Sequence, residues 1–195
     1  MKVGITGLMG SGKSFISSLF RELDVPLYNS DERARWLNNN NYYLKKELIN
    51  EFGDIYVGDE LNKNKLRQIV FSSGGELRLK RLNSIVHPYI FQDFNDFCLV
   101  NSNKPMILAE SAILFESKMN IYLNKIIFVN VPYDIRLERT IKRDGISKEE
   151  YDNRMKNQIS SEEKIKLSDF VIDNFNSNSD ELKNIVKDIY LKITE

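Results

Sequence analysis

The eight residues Gly7-Leu8-Met9-Gly10-Ser11-Gly12-Lys13-Ser14 match the phosphate-binding pattern G-x-x-x-x-G-K-[ST] at every fixed position. Its glycines permit a tight concave turn whose successive N–H groups point inward at phosphate oxygens. Lys13 can reach β- and γ-phosphates, and the Ser14 hydroxyl is placed to ligate Mg²⁺. A helix starting here adds the positive end of its dipole to the same anion site. The pattern predicts nucleoside triphosphate binding by Gly7, Leu8, Met9, Gly10, Ser11, Gly12, Lys13 and Ser14. The alternative is a glycine-rich turn that happens to hold Lys-Ser, and the flanks argue against it. Val3-Gly4-Ile5-Thr6 enters as a buried strand, and Phe15, Ile16, Leu19, Phe20 and Leu23 recur afterwards at helical spacing.

Other residues of chemical interest each carry two readings. Asp31 lies in the polar turn Ser30-Asp31 that ends a short apolar segment, Val25–Asn29, in which Pro26 stands near the start. A carboxylate at the C-terminal end of a strand can take a proton from an attacking hydroxyl or help hold Mg²⁺. Asp is equally a preferred helix N-cap. Arg136, Arg139 and Arg143 are spaced i, i+3, i+7, which puts three guanidinium groups on one helix face. Arg154 follows beyond Gly145. They read either as a mobile lid closing on a triphosphate or as a solvated face paired with Glu138, Glu149 and Glu150. His87, the single histidine, precedes Pro88 at an expected helix start and reads as a packing residue or a binding one. Glu110 ends an apolar strand, as an acidic metal neighbour or as a polar strand end.

The elements that must position these residues alternate between strand and helix. Pro105–Glu110 and Lys125–Asn130 are near-continuous apolar runs, as expected of parallel strands covered on both faces, and Asp169–Asp173 is a last short strand. A helix opening near Asp31 is expected to stop at the asparagine run 38–41, read as a loop. Residues 42–100 are mostly helical, with one stripe closed by Gly53, another ended by Ser72-Ser73-Gly74-Gly75, and a new helix at Pro88. Residues 132–143 form a helix, Ser147 and Ser160 start two more with capping-box spacing, and the stripe Leu182, Ile185, Val186, Ile189, Tyr190, Ile193 closes the chain. The expected fold is α/β, a three-layer P-loop NTPase domain with a parallel sheet, a helical substrate-binding insertion and a helical lid. The core covers about 1–37, 103–131 and 167–195, the insertion about 38–102 and the lid about 132–166.

Composition narrows the class. Lys plus Arg number 28 and Asp plus Glu number 28, so no basic excess points to nucleic acid. Cys98 is the only cysteine, which excludes an internal disulfide and a cysteine-based zinc site. No apolar run approaches the roughly 18 residues of a membrane span. A strand beginning almost at Met1 leaves no room for a signal peptide, so a cytoplasmic chain is expected. The guanine-reading segment Asn-Lys-x-Asp has no match, since Asn62-Lys63-Asn64-Lys65 and Asn124-Lys125-Ile126-Ile127 both lack the Asp.

Together these segments resemble the dephospho-coenzyme A kinases nearly end to end. The resemblance is carried by Gly4 through Ser14, Asn29-Ser30-Asp31 with Ala34-Arg35, Leu66-Arg67 with Val70-Phe71, and His87-Pro88-Tyr89-Ile90. It continues through Ile113-Leu114-Phe115-Glu116, Arg139, Arg143-Asp144-Gly145, Arg154, Gln158 and Asp169 to Asn174. It implies ATP-dependent phosphorylation of the ribose 3′-hydroxyl of dephospho-coenzyme A, with ATP as co-substrate and Mg²⁺. By position, Asp31 is implied as the base, with Lys13 and Arg139 as its catalytic partners. Arg139 and Arg143 would meet ATP, Arg67 and His87 would lie on the substrate side, and Ser14 would ligate Mg²⁺. The partner is a small molecule, with neither nucleic acid nor membrane, and the chain is expected to act as a monomer or weak oligomer. Three positions depart from the family pattern. Asn29 replaces the first Asp of Asp-x-Asp, Glu110-Ser111-Ala112 replaces Asp-x-Pro, and Leu8 stands where many members have Gly. The competing readings are another small-molecule P-loop kinase, acting on a nucleotide or hydroxy acid, and a non-catalytic ATP-binding switch.

Overall fold

A computed structural model of the chain describes residues 1–70, 75–176 and 178–195. The chain opens with β1 (Lys2–Thr6), α1 (Lys13–Glu22) and β2 (Leu27–Asn29). Next come α2 (Ser30–Asn40), α3 (Tyr42–Phe52), β3 (Tyr56–Val57), β4 (Glu60–Leu61), α4 (Lys63–Val70) and α5 (Gly75–Val100). β5 (Ile107–Glu110), a 3₁₀ turn at Met119–Tyr122 and β6 (Lys125–Asn130) follow. α6 (Tyr133–Asp144), α7 (Lys148–Met155), α8 (Ser161–Lys166), β7 (Phe170–Asp173) and α9 (Ser179–Thr194) complete it. Two compact units emerge, Met1–Asn29 with Val100–Glu195, and Ser30–Leu99. The second starts at Ser30, ahead of the expected start of the helical insertion at about residue 38.

In the first unit the strands lie in the order β2-β5-β1-β6-β7, every neighbouring pair parallel, with helices on both sides of the sheet. That is the expected α/β P-loop architecture. The runs of Val, Ile and Leu suit strands with no solvent-facing side, and all four residues of β5 are buried. On one face Val3, Ile5, Leu108, Ile127, Val129 and Ile172 pack with Ile16, Leu19 and Phe20 of α1. Leu182, Val186, Ile189 and Ile193 of α9 join the same cluster. Each such side chain contributes about 1.5–3 kcal/mol when removed from water. Because all five strands run one way, their last residues, Thr6, Asn29, Glu110, Asn130 and Asp173, share one edge.

The second unit has its own core of Leu37, Leu44, Leu48, Ile55, Leu66, Val70, Ile85 and Val86. Here the structure corrects two expectations. The asparagine run is helical through Asn40, because its polar groups find partners within the unit. Asn40 Nδ2 donates to Trp36 O at 2.8 Å, Asn39 Oδ1 accepts from Leu61 N at 3.1 Å, and the Tyr56 hydroxyl donates to Asn38 O at 2.9 Å. Only Asn41 breaks the helix, as the N-cap of α3, where its Oδ1 accepts from Leu44 N at 3.0 Å. Pro88 does not begin a helix but lies inside α5. An interior proline forfeits a backbone hydrogen bond and costs about 3 kcal/mol. Buried Ile85 and Val86 before it and Phe94 and Cys98 after it anchor both halves of one continuous helix. The β3–β4 hairpin, too short to read as an apolar alternation, was not anticipated. The expected break at Ser72-Ser73-Gly74 and the matched residue Phe71 lie outside the described residues.

The caps follow their sequence signals. Ser147 accepts from Glu150 N, and Ser160 from Glu163 N, each at 3.1 Å. At α9 Asn178 accepts from Glu181 N at 3.0 Å while Glu181 accepts from Asn178 N at 3.1 Å, a complete capping box. Asn178→Ala is expected to lower the unfolding free energy by about 1 kcal/mol in a denaturant titration. An unchanged midpoint would show that the box adds nothing to the packing of α9.

Candidate active site

The phosphate loop begins where β1 ends and closes as α1 starts. Two glycines make its path possible. Gly10 has φ 85° and Gly12 has φ 79°, in the left-handed region, and a Cβ on either would run into neighbours, Arg136 O and Thr140 Oγ1 for Gly10 and Asn174 Nδ2 for Gly12. Ser11 N donates to Leu8 O at 3.0 Å across the turn, and Lys13 Nζ donates to Gly7 O at 2.9 Å. Leu8 is buried, so its side chain turns into the protein rather than across the loop.

The Ser14 hydroxyl donates to Glu110 Oε1 at 2.7 Å, joining the first turn of α1 to the end of β5. Glu110 is 5% exposed, and its Oε2 has no hydrogen-bond partner among the described residues. A buried carboxylate oxygen left this way is costly and calls for a cation or an ordered water. A hydroxyl and a carboxylate are hard oxygen donors of the kind Mg²⁺ takes alongside phosphate oxygens and water. Among the described residues no group of three or more His, Cys, Asp or Glu could hold a metal by itself. The residues present therefore fit a Mg²⁺ shared with bound phosphates. Asn29 lies in register with Glu110 across the β2–β5 pair, so two of the three departures from the family pattern are strand neighbours.

The three arginines of α6 do not converge. Arg136 is 6% exposed and structural, its Nε donating to Val131 O at 2.9 Å and its NH1 to the Tyr151 hydroxyl at 2.6 Å. Tyr151, fully buried on α7, in turn donates to Met9 O at 3.3 Å. Burial pushes the Tyr151 hydroxyl above its ordinary pKa, against the opposing effect of the Arg136 cation, so it keeps the proton that it donates. Arg139 is exposed, and its NH1 donates to Asn174 O at 3.1 Å. Arg143 is exposed and forked onto Asp144 at 2.7 and 2.8 Å, while Arg154 pairs with Glu150 one turn away. The i, i+3, i+7 spacing fixes a face but not each side chain's depth, and Arg136, at the first of these positions, lies in the core. Two of the four cations thus have carboxylate partners on their own helices.

One residue, Lys164, escaped the sequence reading. Lys164 is 0% exposed, pairs with Glu116 at 3.0 Å and donates to Ala112 O at 3.0 Å. Burial pushes its ammonium below the ordinary lysine pKa, and Glu116 opposes the shift. Gln158 Nε2 also donates to Ala112 O, at 3.1 Å, and Ile159 N donates to Glu116 Oε1 at 3.0 Å. The segment after β5 is thereby fastened to the chain leading into α8. A lysine among Glu162, Glu163 and Lys166 reads as solvated surface, so no signal in the sequence marked it.

In the helical unit Asp31 is exposed and sits within the first turn of α2, not before it, so it is not the N-cap. Arg67 is exposed in the last turn of α4. His87 is half-buried within α5, its ring 5.9 Å from that of Phe91.

Comparison with known proteins gives consistent matches. A family model described as dephospho-CoA kinase covers residues 1–180. A dephospho-CoA kinase of Bacteroides fragilis is 35% identical over 175 residues, spanning 89% of this chain and 84% of that one. The dephospho-CoA kinase of Aquifex aeolicus is 31% identical over 195 residues, spanning 99% and 97%. The crystal structure of TT1252 from Thermus thermophilus aligns with a TM-score of 0.85 at 31% identity, over 100% of this chain and 98% of that one.

Burial pushes the His87 imidazole below its ordinary pKa of 6.5. Above that value both folded and unfolded chains carry it neutral. As pH falls below it, the unfolded chain binds the proton first, so stability falls until the folded pKa is passed. As His87 is the only histidine, its imidazole NMR signal is unambiguous and is expected to titrate below pH 6.5. A midpoint at or above that value would show an imidazole that water reaches freely.

Proposed function

We infer that this chain, which belongs to the dephospho-CoA kinase family, transfers phosphate from ATP to dephospho-coenzyme A, giving coenzyme A and ADP in the last step of coenzyme A synthesis. The observation that carries this reading is the family match along nearly the whole chain, laid on a P-loop whose Ser14 is bonded to a buried carboxylate. The acceptor atom is the ribose 3′-hydroxyl. Its oxygen attacks the γ-phosphorus in line, the bond to the β–γ bridging oxygen breaks, and the proton passes to the Asp31 carboxylate. The loop N–H groups and Lys13 hold the β- and γ-phosphates, and most of the rate comes from positioning and charge stabilisation.

Ser14 and Glu110 are the residues that would hold Mg²⁺, which when bound neutralises charge on the β- and γ-phosphate oxygens. Arg139 and Arg143 serve the ATP phosphates. Arg139 does so by exchanging its hold on the Asn174 carbonyl for a phosphate oxygen. The unit Ser30–Leu99 carries the acceptor, with Arg67 and His87 on the substrate side, and α6 to α8 form the lid of a single kinase domain. The enzyme works in the cytoplasm, a setting that suits a buried free Cys98. Among the described residues no helix is long and apolar enough to cross a membrane.

Incubation with Mg-ATP and a panel of acceptors tests the reading. ADP is expected to appear only when dephospho-coenzyme A is supplied. ADP formed with another sugar or hydroxy acid, or with no acceptor, would replace the assignment with one of its rivals. Asp31→Asn is expected to lower kcat by on the order of 10² or more while ATP still binds. Near-normal turnover in that variant would remove Asp31 from the role of base.

A further inference from the structure

A loop can offer N–H groups to an anion only when the carbonyls of the same peptides point away. In a trans peptide the C=O and N–H are opposed, and the described chain has no cis bond. Each outward carbonyl needs a donor of its own. Gly7, Leu8 and Gly12 find theirs inside the loop and its helix, from Lys13 Nζ, from Ser11 N, and from Phe15 N and Ile16 N. Met9 and Ser11 do not. Met9 O accepts from the Tyr151 hydroxyl at 3.3 Å, and Ser11 O accepts from Asn174 Nδ2 at 2.8 Å.

Both donors are themselves held in place. The Tyr151 hydroxyl accepts from buried Arg136, whose Nε is spent on Val131 O. Asn174 is 8% exposed, and its own N–H donates to Asn130 O at 2.9 Å. The Ser11–Gly12 peptide has no slack, since a Cβ at Gly12 would collide with the same Asn174 amide.

We propose that Tyr151 and Asn174 are positioning residues for the phosphate donor, pinning the carbonyls of Met9 and Ser11 so that the N–H groups of Gly10 and Gly12 face the bound phosphates. The pinned carbonyls alternate along the loop, and so do the N–H groups they aim. Because Tyr151 belongs to α7, a lid that lifts this helix takes the donor of Met9 with it and loosens the cradle. The inference rests on the reading of residues 7–14 as the ATP phosphate site.

Tyr151→Phe keeps the ring and removes the hydroxyl, and Asn174→Leu keeps the size while removing the donor without adding charge. Calorimetry with ADP and, separately, with dephospho-coenzyme A is expected to show each variant binding ADP about fivefold more weakly, with acceptor affinity unchanged. The KM for ATP rises in step while the KM for the acceptor stays. In ¹H–¹⁵N spectra the Gly10 amide moves in Tyr151→Phe and the Gly12 amide in Asn174→Leu. The two variants lie in different elements, so loss of fold in one leaves the other as the test. ADP affinity equal to that of the unaltered chain, or an equal loss for ADP and acceptor, overturns the inference. An unaltered chain that fails to bind ADP overturns the donor-site reading and the inference with it.

Discussion

Parallel strands cannot be joined by a hairpin, so each connection must travel back the length of the sheet before the next strand begins. In this chain those return paths hold most of the residues outside the sheet. The path from β1 to β2 is α1, which opens in the phosphate loop. The path from β2 to β5 contains the helical unit Ser30–Leu99, and the path from β6 to β7 contains α6, α7 and α8. The order β2-β5-β1-β6-β7 brings five strand ends to one edge. Ser14 and Glu110, 96 residues apart, meet at 2.7 Å for that reason alone. Asn29 comes into register with Glu110 by the same arrangement.

What was legible in the sequence is what local chemistry decides. The phosphate loop, the apolar strands and the serine caps each rest on a few neighbouring residues, and each appears where it was expected. The asparagine run and Pro88 were misread because their local preferences lost to contacts made elsewhere in the helical unit. Asn39 turns out to serve the backbone of Leu61, and Pro88 is carried by the apolar residues on either side of it. Two-residue strands such as β3 and β4 leave no pattern long enough to detect.

Charged side chains were the least legible part of the site. Periodicity places Arg136, Arg139 and Arg143 on one face yet says nothing of depth. The outcome is one buried arginine and two exposed ones. Burial of Arg136 is tolerable because a carbonyl and a tyrosine hydroxyl take up its donors. Lys164 is the harder case, since its partners, Ala112 and Glu116, come from a distant stretch of chain. Position in sequence, not residue type, hid it.

That buried pair constrains how the protein can change over generations. Taking one partner out of a desolvated ion pair leaves the other charge stranded, at a cost of about 3–5 kcal/mol, whereas exchanging both for apolar residues of similar volume is often neutral. A lineage carrying Lys164 and Glu116 therefore stands in a valley with steep single-step walls and an open two-step exit. The apolar alternative can be equally fit and still go unreached, because every route to it passes through a poorly folded ancestor. Persistence of the two residues in descendants of this chain would then record history as much as usefulness.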